Sequence, residues 1–244
     1  MQYGFLAVVG RLLGAAPAAP FYTMLSAATV LSALGRAGLD HFGLREIAAS
    51  IANGRQGIVR ALSARLLAVQ LLWSAGLVAI MWLVRDRLAA MLVLDGPGAV
   101  AQLGALALGF VLTFSLAAYA LAFRGVLESA LVKTMVPYGA GGVLLIALYL
   151  YSDSAVQATQ AVGALLTGLA IAVAIGVSFI VRKTAGTRRF AATAMPAVSL
   201  SRSLALAAIP LLMPGMTALD VVLLQAARPG AETSFYQAAQ RTSM

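Results

Sequence analysis

Residues 154–181 read SAVQATQAVGALLTGLAIAVAIGVSFIV, with no Asp, Glu, Lys or Arg between Asp153 and Arg182. A helix needs roughly 20 apolar residues to cross the hydrocarbon core of a bilayer, and this stretch is longer than that. The same clearing recurs on either side of it. Residues 12–35, 66–84, 96–123 and 134–152 carry no charge, and 203–227 carries one, Asp220. A charge at the bilayer centre costs at least ~2.5–3.5 kcal/mol. A chain that repeatedly clears windows of this length is avoiding a penalty that only lipid imposes.

Composition leads to the same class. Charged residues are 10% of the 244, hydrophobic residues 61%, and the mean hydropathy is +0.93. A soluble domain carries about 25% charged residues, so a soluble fold would lack the polar surface to cover this core. Alternating polar and apolar runs are missing, which excludes a transmembrane β-barrel. Met1 to Gly10 has no basic start and reads as helix rather than as a cleavable leader. With no cysteine, disulfides, thiol chemistry and thiolate metal sites are excluded.

The net charge of +9 raises the question of nucleic acid. The basic residues answer it by sitting between the spans. Arg36, Arg45, Arg55, Arg60 and Arg65 fall in the second connection, Arg124 and Lys133 in the fourth, and Arg182, Lys183, Arg188, Arg189 and Arg202 in the sixth. The odd connections hold only Arg11, Arg85, Arg87 and Arg228, giving 12 basic residues against 4. Positive connections stay in the cytoplasm, so the N-terminus is expected inside. Orientation and anionic lipid account for the basic excess, and no nucleic-acid partner is needed.

The fold expected is all-α, a polytopic transmembrane helical bundle. Its seven spans lie near 1–13, 18–36, 66–84, 99–122, 134–151, 158–181 and 203–226, with an eighth beginning near Phe235. The first is too short to cross a bilayer unaided. Residues 1–202 read as a six-span bundle whose first span is truncated, and 203–244 as the start of a second bundle. Within the long second connection, Asn53-Gly54 is a helix stop. A short helix through Asp40–Ala49 should end there, and a new one should start near Gln56 and run into the third span. The plain reading is a helical elbow on the membrane surface with arginines at the headgroups.

A faint internal repeat is present. Phe21-Tyr22 and Phe235-Tyr236 each follow a loop of small residues and stand 214 residues apart. Six spans separate them, so both copies have one orientation, as in parallel repeats about an axis along the membrane normal. By this logic the chain is a fragment. It lacks roughly a dozen N-terminal residues and most of a second half, and the whole protein is expected to have roughly 420 residues or more.

The run Arg36-Ala37-Gly38-Leu39-Asp40-His41-Phe42-Gly43-Leu44-Arg45-Glu46-Ile47-Ala48 resembles the exit of the second span in polysaccharide flippases. These belong to the multidrug, oligosaccharidyl-lipid and polysaccharide exporter superfamily. A second block resembles their seventh span and following loop: Ala208-Ile209-Pro210-Leu211-Leu212, Asp220, Gly230-Ala231-Glu232 and Phe235-Tyr236-Gln237-Ala238-Ala239-Gln240-Arg241. The resemblance implies twelve to fourteen spans in two pseudo-symmetric bundles around a central cavity. It implies alternating-access movement of undecaprenyl-pyrophosphate-linked oligosaccharide to the periplasmic leaflet of a bacterial inner membrane. The product would feed O-antigen, capsule or exopolysaccharide synthesis, with the lipid-linked glycan as substrate and glycan polymerase and other assembly proteins as partners.

The residues themselves suit such cargo. A sugar pyrophosphate on a lipid is anionic and amphipathic, and its passage needs a polar cationic cavity but no covalent step. Arginine offers bidentate phosphate contacts and stays charged. Arg11, Arg36, Arg45 and Arg241 are therefore the candidate substrate contacts, with headgroup snorkelling the alternative for Arg11 and Arg36. Asp220, inside an otherwise uncharged stretch, is the candidate for H+ or Na+ coupling or for an ion pair with an arginine. Pro210, Pro214 and Gly215 are hinge candidates, since prolines at i and i+4 free carbonyls and bend a helix.

No cofactor or metal site is expected. The chain has one histidine, no Asp-x-Asp and no paired carboxylates close in sequence, so it lacks the constellation an enzyme needs. The first alternative is a cation-coupled multidrug exporter of the same superfamily. It ranks second because aromatics are 7% and basic residues outnumber acids. The other alternative is a membrane glycan polymerase or ligase, which would need a sizeable outer catalytic loop.

Overall fold

The computed structural model describes residues 1–92, 94, 96–151, 156–185, 206, 220–224, 227, 232 and 236. Within them the secondary structure is helical. The elements are α1 (Gln2–Leu13), α2 (Ala15–Arg36), α3 (Leu39–Ala52), α4 (Gln56–Leu83), α5 (Arg85–Leu92), α6 (Pro97–Ala122), α7 (Val126–Ala130), α8 (Val136–Tyr151) and α9 (Ala158–Thr184). A π turn, Leu131–Met135, joins α7 to α8 without a break. Among the described residues, five helices are long and apolar enough to cross a membrane: α2, α4, α6, the continuous Val126–Tyr151 helix, and α9. The expected all-α membrane bundle is the fold observed.

The chain breaks where local chemistry demands it. Gly14 alone separates α1 from α2, at φ 82 and ψ 167, a region essentially restricted to glycine. Ala37 and Gly38 are both left-handed, at φ 45 and 72, and turn α2 into α3. Asn53-Gly54 ends α3 as expected, with the Arg55 amide bonding back to the Ser50 carbonyl at 2.8 Å. The following helix α4 begins at Gln56, also as expected, and runs 28 residues. At 1.5 Å per residue it is about 42 Å long, so its first turns, with exposed Arg60 and Arg65, project beyond a bilayer core. That is why the third span starts earlier than its uncharged window.

The fifth span also starts early, at Val126 instead of near 134. Lys133 is thus inside the helix rather than in a loop. Pro137 explains the π turn there. It has no N–H for the Lys133 carbonyl, and its ring would clash with that carbonyl. The helix widens instead, and the Val136 amide bonds to the Leu131 carbonyl five residues back.

The helices α2 and α6 are central, and α4 is peripheral, exposing Leu71, Leu72, Ile80 and Leu83 to the surroundings. Lipid is as apolar as these side chains, so close packing rather than water exclusion must hold such helices together. Gly168 of α9 shows how. A Cβ there would lie inside contact distance of the Pro137 carbonyl oxygen, so α8 and α9 meet backbone to backbone. Two apolar clusters fill the bundle. One surrounds Phe5, Phe21, Leu103 and Leu165. The other surrounds Leu39, Ile47, Leu62, Leu66, Tyr119 and Val132, at the end where α3 folds over α4 and α6. We call this the elbow end.

Candidate functional site

The elbow places charge inside the bundle. Arg36, the last residue of α2, is 8% exposed, and Asp40, in the first turn of α3, is 3% exposed. The Arg36 Nη1 donates to Asp40 Oδ2 at 2.8 Å, and its Nε donates to the Ser32 carbonyl at 3.3 Å. The left-handed residues between them allow this pairing across a helix break. Asp40 Oδ1 is buried with no hydrogen-bond partner among the described residues. The exposed His41 holds its Nε2 4.0 Å from Asp40 Oδ2.

Phe114, about two turns inside α6, joins a second cation to the group. Its ring centroid is 4.7 Å from Arg36 Cζ and 5.3 Å from Lys133 Nζ. Both distances fall within cation–π range. The two cations differ in state. Arg36 is neutralised by Asp40, whereas Lys133 is exposed and has no acidic partner among the described residues. The π turn set by Pro137 brings it to Phe114. Behind the ion pair, the Tyr119 hydroxyl donates to Gln70 Oε1 at 3.2 Å. Gly43, one turn along α3 from Asp40, gives the Tyr119 ring room that a Cβ would fill.

Lys133, with no acidic partner among the described residues, thus stands beside an aromatic ring that it shares with the ion-paired Arg36. The arrangement suits an anionic group better than a cationic one. Among the described residues, no three His, Asp or Glu gather as for a metal ion.

The sequence candidates are distributed unevenly. Arg11 is exposed in the last turn of α1. It lies at the opposite end of α2 from Arg36, about 33 Å away by helix rise, so the two do not share a site. Arg45 is exposed on the outer face of α3, with His41 one turn before it. Arg241, Pro210, Pro214 and Gly215 lie outside the described residues. Asp220 is exposed and accepts a hydrogen bond from the Tyr236 hydroxyl at 3.2 Å. Asp40, Phe114 and Lys133 were not singled out from the sequence. Two signals marked Asp40 and Lys133, the i,i+4 spacing of Arg36 and Asp40 and Pro137 four residues after Lys133, and none marked Phe114.

The chain matches no protein-family profile and no curated protein. Among solved structures it is similar to one described as the inward-facing conformation of a multidrug resistance MATE family transporter of the MOP superfamily. The TM-score is 0.52 and the identity 15%, with all of this chain aligned. The alignment covers 57% of that transporter, so this chain spans little more than half its length. At this identity the likeness shows the fold: a multi-pass helical bundle of the kind that forms about half of such a transporter.

Proposed function

We propose that this chain belongs to a flippase, with residues 1–202 as its first bundle and 203–244 opening the second. It moves undecaprenyl-pyrophosphate-linked oligosaccharide from the cytoplasmic to the periplasmic leaflet, for O-antigen, capsule or exopolysaccharide synthesis. The observation that carries the reading is the Arg36–Phe114–Lys133 cluster, in which Lys133 is exposed and has no acidic partner among the described residues. A diphosphate headgroup needs such a cation, and Phe114 provides a face for the first sugar. The resemblance of residues 36–48 to the second-span exit of polysaccharide flippases supports it. Arg45 and Arg241 are proposed to meet the pyrophosphate at other stages of its passage, and Asp220 to carry the coupling ion.

The test is complementation of a strain lacking its own flippase with the full-length gene. Lys133→Ala should abolish or strongly reduce surface polysaccharide at unchanged membrane abundance. Normal polysaccharide from this variant would remove the support for a cationic site.

A second reading, a cation-coupled multidrug exporter, is favoured by the description of the structural neighbour. It predicts that the full-length protein lowers accumulation of cationic dyes in cells. On that reading Lys133→Ala would leave export intact or improve it, since a cationic drug is repelled by Lys133.

A further inference from the structure

A second cationic feature lies at the elbow end, apart from the cluster at Phe114. The helices α3, α6 and α9 all stop there and enclose an open cleft of about 420 Å³. Its apolar walls include Ile51, Ala52, Ala122 and Phe123, and Arg124 and Lys183 also line it. Lys183 Nζ stands 5.6 Å from the Phe179 ring centroid, and Phe179 meets Phe123 edge to face at 6.2 Å. The cleft therefore pairs an apolar floor with two cations.

Arg124 occupies an unusual seat. The Gly125 amide bonds to the Ala120 carbonyl at 3.0 Å and the Arg124 amide to Leu121 at 2.8 Å, which closes α6 in a Schellman-type turn. The left-handed residue of that turn is usually glycine, yet here it is Arg124, at φ 59. Glycine stands one place later, where a Cβ would come within 2.9–3.0 Å of Phe179, Ala120 and Glu128. A bulky residue held in the left-handed region is strained, and such departures from local preference collect at functional positions.

Three helix C-termini meet at the cleft, and their carbonyls carry partial negative charge. Neutralising them would be a purely structural role for the cations. However, neither Arg124 nor Lys183 donates a side-chain hydrogen bond to any described residue, and neither has an acidic partner among them. Glu128, beside Gly125, is the nearby acid and offsets one charge at most, while Arg182 adds another cation. The sequence after Ala185 does not complement the cleft either. Residues 186–205 contain Arg188, Arg189 and Arg202 and no acid. The charge points to an anion from outside the chain, and the apolar floor points to an amphiphile.

We propose that this cleft binds an anionic phospholipid, with its phosphate between Arg124 and Lys183 and its glycerol and upper acyl carbons against Ile51, Ala122 and Phe123. Basic pockets where transmembrane helices reach the membrane surface suit such headgroups. The site is distinct from the Lys133 cluster and does not depend on what the transporter carries.

The test uses the full-length protein in nanodiscs of phosphatidylcholine, alone or mixed with phosphatidylglycerol. The wild type should melt at a higher temperature in the mixture and retain phosphatidylglycerol in native mass spectrometry. Arg124→Gly with Lys183→Gln should lose the upshift and retain at least about tenfold less lipid. Its melting temperature in phosphatidylcholine alone should not fall, because glycine relaxes the turn, so misfolding cannot explain the loss. Arg60→Gln with Arg65→Gln removes two exposed arginines outside the cleft and should respond as wild type. Three results would overturn the proposal: an unchanged response in the cleft variant, equal loss in the control variant, or reproduction of the upshift by inorganic phosphate in phosphatidylcholine alone.

Discussion

Arg36 and Asp40 form a 2.8 Å ion pair that spans the two left-handed residues at which α2 becomes α3. Side-chain exposures of 10% and 4% put the pair largely in the interior. Removing one partner strands the other as a buried charge, at a typical cost of 3–5 kcal/mol. Asp40→Ala should therefore destabilise the purified protein by about that amount. The double substitution Arg36→Met with Asp40→Leu should cost clearly less, because no charge is stranded. Denaturation midpoints of the two variants in detergent check this, and the reverse order would mean that the pair does not hold the elbow.

The π turn is open to a direct test. Pro137→Ala restores the amide that the Lys133 carbonyl lacks, which favours regular helix over Leu131–Met135. Loss of the extra residue in the turn would rotate Lys133 by about 100° around the helix, away from Phe114. Stability should rise or hold, and on the flippase reading surface polysaccharide should fall. A variant that stays fully active after losing the turn would show that the placement of Lys133 at Phe114 is not needed.

The backbone contact between α8 and α9 predicts a contrast between two glycines of one helix. Gly168→Ala drives a methyl group into the Pro137 carbonyl, and overpacking of this kind costs about 1–3 kcal/mol. Gly163→Ala meets nothing within 4 Å and should stay within about 0.5 kcal/mol of wild type. Thermal melts of both variants in the same detergent decide it, and equal effects would refute the close approach.

The 12-to-4 distribution of basic residues predicts the topology. Single cysteines replacing Arg55 and Arg188 should react with an impermeant maleimide only from the cytoplasmic side. One replacing Asp153 should react only from outside. Labelling of position 55 from the periplasm would invert the whole assignment.

On the flippase reading, arginines exposed on the elbow bear on cargo more than on stability. Arg45→Ala should lower surface polysaccharide without lowering protein level, and Arg45→Lys should restore only part of it. Lysine keeps the charge but loses the planar fork. Immunoblots with glycan gels on the same cells separate the two effects. Full output from Arg45→Ala would leave Arg45 as a headgroup anchor.

Charge-free windows revealed the spans α2, α6 and α9 because lipid penalises charge wherever it falls, whatever the partner helix. The elbow was readable because Asn53-Gly54 stops a helix by local means alone. The site itself was harder to see. Lys133 looked like a loop cation, since a hydropathy window registers its charge but not the proline four residues later that widens the helix around it. Arg11 and Arg36 both border α2, but the span separates its two ends by its own length, so only Arg36 reaches the elbow. Asp40 lay in plain sight within the resembling run, but its burial depends on α3 folding back over α4 and α6, which no local pattern encodes.

The contact of Gly168 with the Pro137 carbonyl has a mechanical consequence. Where two helices touch through their main chains, there are no side chains to exchange rotamers and absorb sliding. If the bundle rocks as the proposed transport requires, that part of it moves as a solid lever, and any bending is passed on to the joints around it. Among the described breaks, two at the ends of α2 are short enough to act as joints: one glycine at position 14, and the Ala37-Gly38 break braced by Arg36 and Asp40. On this view the ion pair works as a latch on a hinge, and the force needed to open it sets how readily the lever can swing.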